Sequence, residues 1–183
     1  MPDNVLSGIK VAFLATDMVE VPELVEPWNA VKAAGADVEL ISDKSGRIQL
    51  FTHYDKADTF PVDKLVSEVS ADDYAALVLP GGVGNPDTMR TNPQAVAFVR
   101  AFFDAGKPVA AICHSLWLLA EADVARGRTM TSWPSLRTDM TNAGANWVDE
   151  EVVVDGNLVT SRKPDDIPAF NPEVIKLFSA QAR

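Results

Sequence analysis

The stretch Lys107-Pro-Val-Ala-Ala-Ile-Cys113-His114-Ser115-Leu-Trp-Leu-Leu-Ala-Glu-Ala122 sets a buried apolar strand directly against a helix-like run, with the only cysteine of the chain at the junction. A sharp strand-to-helix turn lifts the side chain at its apex out of the sheet. The helix behind it aims free amide N–H groups and a positive dipole end at the same spot. A thiol placed there is expected to lose its proton more easily, and the thiolate is the reactive form. Ala111 and Ser115, both small, take the places that a G-x-nucleophile-x-G elbow gives to glycine. A lone cysteine is more often a buried core residue. Its place at a strand end, followed at once by His114, makes Cys113 a candidate nucleophile instead.

Outward from this junction the hydrophobic pattern alternates between two periods. Toward the N-terminus, Ile9 to Ala15 is an apolar run, Glu23 to Ala34 has helical spacing and stops at Gly35, and Ala36 to Ser42 is a second strand. Gly46 to Thr52 and Thr59 to Val62 read as short strands on an excursion. Asp73 to Pro80 is another buried strand, and Asn92 to Ala105 an amphipathic helix with Pro93 in its first turn and Gly106 at its end. Beyond the junction, Ser132-Trp-Pro opens a helix to about Ala143. Trp147 to Val154 and Leu158 to Ser161 form a hairpin across Asp155-Gly156-Asn157, and a last helix covers about Asp165 to Ala180. Strands alternating with helices predict an α/β fold with a doubly wound, mainly parallel sheet. With no repeat, low-complexity tract or linker, residues 1–183 are read as one domain.

Composition narrows the setting. Nearly half of the 183 residues are apolar and about a quarter charged, a globular balance that excludes disordered and fibrous classes. One cysteine cannot form an internal disulfide, so nothing points to an oxidising compartment. Residues 1–8 hold no basic region leading into a long apolar stretch, and no segment reaches the roughly 18 apolar residues of a membrane span, so a cytoplasmic protein without a membrane partner is expected. A net charge of −10, with no Lys/Arg cluster, argues against a nucleic-acid partner.

In a doubly wound sheet the site lies beyond the carboxyl ends of the strands. Three segments converge there: Thr16 to Glu23, the Pro80-Gly81-Gly82-Val-Gly84 loop, and Cys113-His114. The Gly-Gly loop can bring backbone amides close to a substrate oxygen, so the N–H groups of Gly82 and His114 are candidate oxyanion donors; an ordinary tight turn would carry the same letters. The loop lacks the third glycine of a dinucleotide motif, and no cofactor is expected. Glu20, Glu23 and Glu26 recur every third residue at a helix start, where acidic residues also serve the dipole. Glu23 is placed against the thiol, where it helps only if it is protonated and donates a hydrogen bond. Glu20 is either a pocket residue or, like Glu26, solvated or salt-bridged. Of the two histidines, His53 reads as surface, and His114 can cooperate with Cys113 only if a sharp turn overrides the alternation of a strand. Asp87, just past the Gly-Gly loop, is the best carboxylate to orient the His114 ring. One cysteine and two distant histidines give no metal site.

Ala110-Ala-Ile-Cys113-His114, with Leu77-Val-Leu-Pro-Gly-Gly82 before it and Arg126-Gly-Arg-Thr-Met-Thr-Ser-Trp-Pro134, Asn142 to Asn157 and Thr160-Ser-Arg-Lys-Pro-Asp-Asp166 after it, resembles the PfpI intracellular protease/amidase family of the DJ/PfpI superfamily. The likeness runs from about Ile9 to Phe178. It implies a flavodoxin-like sheet sandwiched by helices, of the class I glutamine amidotransferase-like kind, and homo-oligomers built from dimers, either a dimer or a hexamer-type assembly. By motif Cys113 takes the nucleophile's place and Glu23 that of the glutamate bonded to it. The resemblance also implies a site completed across the interface, where an acidic residue of a neighbouring subunit pairs with the histidine; Asp87 falls on that position as a shorter side chain than the usual glutamate. Ser115 replaces a glycine and either stiffens the elbow or narrows the pocket. Trp133 sits where relatives place an aromatic or histidine side chain near the cysteine, and core packing would explain it equally.

The implied activity is a stress-protective, cysteine-dependent hydrolase acting on a small carbonyl or peptide substrate. Peptide hydrolysis, removal of early glyoxal adducts and conversion of methylglyoxal to lactate all fit the constellation. The alternative is a redox-responsive protein in which Cys113 is oxidised and a binding surface changes. His114 and Asp87 favour catalysis, because a sensor needs no proton shuttle.

Overall fold

In the computed structural model, which describes residues 4–181, the chain forms twelve strands and six α-helices. The N-terminal half holds β1 (Lys10–Leu14), β2 (Val19–Glu20), α1 (Val21–Ala33), β3 (Asp37–Ser42), β4 (Arg47–Thr52), β5 (Asp55–Pro61), β6 (Lys64–Leu65), β7 (Ala76–Leu79), α2 (Gly84–Met89) and α3 (Pro93–Asp104). The remainder holds β8 (Val109–Ile112), α4 (Leu116–Glu121), β9 (Thr129–Met130), α5 (Arg137–Asn142), β10 (Asn146–Trp147), β11 (Val153–Asp155), β12 (Leu158–Ser161) and α6 (Ile167–Gln181). Residues 1–3 and 182–183 of the expected 1–183 domain lie outside the described residues.

Seven strands form the main sheet in the order β11-β12-β8-β7-β1-β3-β6. Every neighbouring pair is parallel except the β11–β12 hairpin. The five central strands run 2-1-3-4-5 in chain order, the flavodoxin-like arrangement that the resemblance implied. β7 and β8 are buried at all four positions, which explains why both read as unbroken apolar runs. Their side chains alternate between two cores. Ala12, Leu14, Leu77, Leu79, Val109 and Ala111 face α3, α4 and α5, while Val11, Phe13, Val78, Ala110 and Ile112 face α1 and α6.

Three expectations need correction. The excursion after β3 is a longer hairpin, β4–β5, joined through β4 to β2 as a separate three-stranded sheet. The strand expected over Trp147 to Val154 breaks in two: β10 pairs in parallel with β9, and only β11 pairs with β12. Between them Asp149, Glu150 and Glu151 stay exposed to water rather than entering a buried ladder. The helix expected from Ser132 starts as a 3-10 turn over Pro134–Leu136 before becoming α5. Expected strands and helices elsewhere agree with the observed ones to within a few residues.

The order reverses between β1 and β7, so the segments leaving these strands open a crevice at the carboxyl edge. Asn85, buried at the start of α2, ties the two segments together. Its Oδ1 accepts the Thr16 N–H at 2.8 Å, and its Nδ2 donates to the carbonyls of Pro80 and Gly81, both at 3.0 Å. Replacing it strands three buried backbone groups at the mouth of the crevice. Asn85→Ala is therefore expected to lower stability by about 3 kcal/mol and the Tm by roughly 10 °C, measured by chemical and thermal denaturation.

Candidate active site

Cys113 sits at the expected elbow in a left-handed backbone conformation, φ +65°. That geometry is strained for a residue with a Cβ and persists only where the surroundings impose it. Ser115 supplies part of the constraint: its hydroxyl accepts the Ile112 N–H at 2.9 Å and donates to the Ile112 carbonyl at 2.7 Å. Fully buried, it stiffens the elbow and does not line the pocket. The Trp133 N–H closes the other side by donating to the Cys113 carbonyl at 3.1 Å. The Gly-Gly loop packs so tightly on this turn that a Cβ on Gly81 would lie 2.7 Å from the Cys113 Cβ, and one on Gly82 would lie 2.5 Å from the Met18 carbonyl oxygen. Both glycines are required by close approach.

Glu23 lies in the first turn of α1 with no exposed surface. Its Oε1 accepts the Gly82 N–H at 3.2 Å, Oε2 has no hydrogen-bond partner, and the carboxyl group is in contact with the Cys113 thiol. Burial, reinforced by the charge of Glu20, pushes its pKa up to about 8 against a gain from the Gly82 N–H. At neutral pH Glu23 is thus protonated, the condition under which a carboxyl beside a thiol can act as donor.

The thiol itself departs from expectation. Burial, and then the charge of Glu23 when ionised, push Cys113 well above its ordinary value, while the N–H groups of His114 and Gly82 pull it back. The helix behind it, α4, has only six residues and starts through a 3-10 turn, so its dipole does not offset the desolvation. Those two backbone donors are the ones expected to hold an oxyanion; here both address the sulfur, and Gly82 is shared with Glu23.

His114 overcomes strand alternation because of the turn: its Nδ1 is 3.1 Å from the Cys113 Sγ. The ring is buried, and burial lowers its pKa to about 4, so it is neutral at pH 7. Trp133 stacks on one face with centroids 5.6 Å apart and planes 22° apart, and Trp117 meets it edge-on at 5.2 Å. Trp133, 37% exposed, is a wall of the pocket rather than core. Asp87 is exposed on α2 and makes no bond to His114 within the chain.

Cys113 opens on a cleft of about 600 Å³ whose lining includes Glu20, His53, Tyr54, Gly82 and Trp133. Glu20 is buried, not solvated, and Glu26 is exposed. The Glu20 carboxylate accepts the His53 N–H at 3.1 Å and 3.3 Å and lies 3.7 Å from the His53 Nδ1. His53 is on the surface as expected, yet the β4–β5 turn brings it, with the 97% exposed Tyr54, to the lip of the cleft. Sequence reasoning missed this role, and missed Asn85 and Trp117 as well. The Gly84-Asn-Pro-Asp stretch before Thr88 carried a turn signal, but nothing in it pointed to a buried amide. Among the described residues no group of three or more His, Cys, Asp or Glu is placed to hold a metal ion. Among them, too, no helix is long and apolar enough to cross a membrane.

The DJ-1/PfpI family profile matches residues 9–177. A deglycase of Pyrococcus abyssi is 44% identical over 169 residues, covering 92% of this chain and 99% of that protein. General stress protein 18 of Bacillus subtilis is 43% identical over 173 residues, covering 93% of this chain and 98% of that protein. The crystal structure of Drosophila melanogaster DJ-1beta is similar with a TM-score of 0.83 at 25% identity, covering 95% of each chain.

Two of the shifted groups, Glu23 and His114, have opposite effects on stability. Glu23 rises from 4.5 to about 8 on folding, so the folded state holds the extra proton and stability falls as pH rises across that window. His114 falls from 6.5 to about 4, so the unfolded state holds the extra proton and stability rises with pH over that range. The slopes offset each other between about pH 4.5 and 6.5, and from there to pH 8 Glu23 dominates, because the raised Cys113 thiol adds to the loss only as pH nears its unfolded value of 9.0. Denaturant titrations are expected to show a loss of about 2 kcal/mol between pH 6.5 and 8 that disappears in Glu23→Gln.

Proposed function

Since the chain belongs to the DJ-1/PfpI family, we propose that it is a stress-protective, cysteine-dependent hydrolase of the PfpI type, acting on glyoxal or methylglyoxal adducts or on peptide bonds. The observation that carries this reading is the 3.1 Å approach of His114 Nδ1 to Cys113 Sγ at the floor of an open cleft. A neutral imidazole at that distance accepts the thiol proton as sulfur attacks a carbonyl carbon. Negative charge then moves from sulfur to the carbonyl oxygen. The N–H groups of Gly82 and His114, which address the sulfur beforehand, are the donors that would receive it.

With an amide, the tetrahedral adduct expels an amine that takes its proton from His114, and water hydrolyses the remaining thioester. With a methylglyoxal adduct, the carbon bound to nitrogen transfers to sulfur and the nitrogen leaves protonated. The resulting hemithioacetal rearranges by proton transfer to a hydroxyacyl thioester, which water releases as the hydroxy acid. The protonated Glu23 balances the site: it removes a negative charge from beside the thiolate and can hold it by a hydrogen bond. A sensor reading is less well served, because a standing thiolate is what such a protein needs and burial opposes it.

The cleft mouth carries exposed Met18, Tyr54, Val83 and Trp133. A second copy of the chain seated there would cover them and could bring its own Asp87 toward His114, which supports the homo-oligomer and shared-site reading. Action in the cytoplasm is consistent with the single unpaired thiol.

Turnover of methylglyoxal, of a methylglyoxal-treated peptide and of peptide amides by the parent and Cys113→Ser tests the reading. The substitution is expected to reduce every active reaction by at least about a hundredfold while leaving the circular dichroism spectrum unchanged. A folded Cys113→Ser protein with parental turnover would overturn it.

A further inference from the structure

His114 has no carboxylate bonded to its ring among the described residues, yet its Nδ1 is aimed at the thiol. Two indoles pack against the ring. Trp133 covers a face and Trp117 meets the ring edge-on, 64° from its plane. Trp133 is anchored to the elbow through its backbone N–H. Trp117 is anchored through its side chain: Nε1 donates to Asp139 Oδ2 at 2.9 Å, and the Arg90 guanidinium lies 5.3 Å above the ring. Arg90 is in turn bridged to Glu121 at 3.2 Å. Arg90, which follows α2, and Asp139 of α5 thereby converge on this half-buried tryptophan of α4, whose ring packs against the imidazole.

Resting on the nucleophile–base reading of Cys113 and His114, we propose that Trp117, tethered by Asp139, is a positioning residue that with Trp133 clamps the His114 ring so that Nδ1 faces the Cys113 thiol. The clamp does within one chain what an orienting carboxylate does in other cysteine–histidine pairs. Aromatic contact restricts rotation about the ring's side-chain bonds without removing a proton from either nitrogen. It leaves the remaining ring nitrogen free for a carboxylate from another copy, so clamp and shared site are compatible.

The Cys113 alkylation rate with iodoacetamide reads the pairing of thiol and imidazole without any assumption about substrate. Trp117→Leu is expected to slow alkylation at pH 7 by about tenfold, with a matching fall in kcat and little change in KM, because misplacing a catalytic group costs rate rather than binding. Trp117→Phe keeps an aromatic edge and should recover most of the loss; Asp139→Ala, which frees the indole, should show a smaller loss in the same direction. A folded Trp117→Leu protein with parental alkylation and kcat would overturn the proposal, as would an effect on KM alone or an equal loss in Trp117→Phe. Should Trp117→Leu fail to fold, Asp139→Ala decides: slower alkylation supports the clamp and a parental rate refutes it. Failure of the Cys113→Ser test would instead remove the nucleophile, whatever the alkylation rates.

Discussion

Glu23, which has no exposed surface of its own, meets Gly82 and Cys113 at the floor of the cleft. An ionised carboxylate there would face the thiol across a dry contact with a single N–H for compensation, which is why the group holds its proton to about pH 8. The neighbouring geometry follows from admitting that neutral group. Gly81 and Gly82 can carry no side chain, because a Cβ on either would strike the Cys113 Cβ, the Glu23 carboxyl or the backbone at Met18. The left-handed turn at Cys113 swings the sulfur away from the line of the strand, and the Ser115 hydroxyl holds the backbone in that form.

The reactive centre is accordingly buried and neutral in the resting state: a thiol pushed up, a carboxyl pushed up and an imidazole pushed down. Each shift arises first from burial. A neutral set avoids three buried charges, and on the proposed reading the thiolate is a transient species formed by transfer to His114. Reactivity then depends on distance and orientation more than on a standing low pKa, and positioning by Asn85 of the strand-end segments and by Trp117 and Trp133 of the imidazole becomes part of the chemistry.

The sheet was legible because its central strands are buried on both faces and punctuated by Gly35, Gly106 and the Gly-Gly loop; β7 and β8 were placed to within three residues at each end. The elbow was legible for the same reason, and the charge state required of Glu23 followed from simple electrostatics. What could not be read arose where segments distant in sequence meet. Asn85 acts on Thr16 from 69 residues away, and Glu20 reaches His53 through a hairpin whose length the periodicity understated. Trp117 looked like one more apolar position in a helix, since its hydrogen bond to Asp139 spans two elements. The expected fall in the thiol pKa was misjudged because the depth of burial, and the shortness of α4, are properties of the packed molecule.

The protonation state of Glu23 is the point on which these relations turn, and it can be observed directly. Carbon-13 NMR of the Glu23 carboxyl, followed from pH 3 to pH 10 and assigned with Glu23→Gln, gives its titration midpoint. A midpoint near pH 8 is expected. A midpoint near the ordinary carboxylate value of 4.5 would mean an ionised group beside the thiol at neutral pH, and would contradict the neutral resting site.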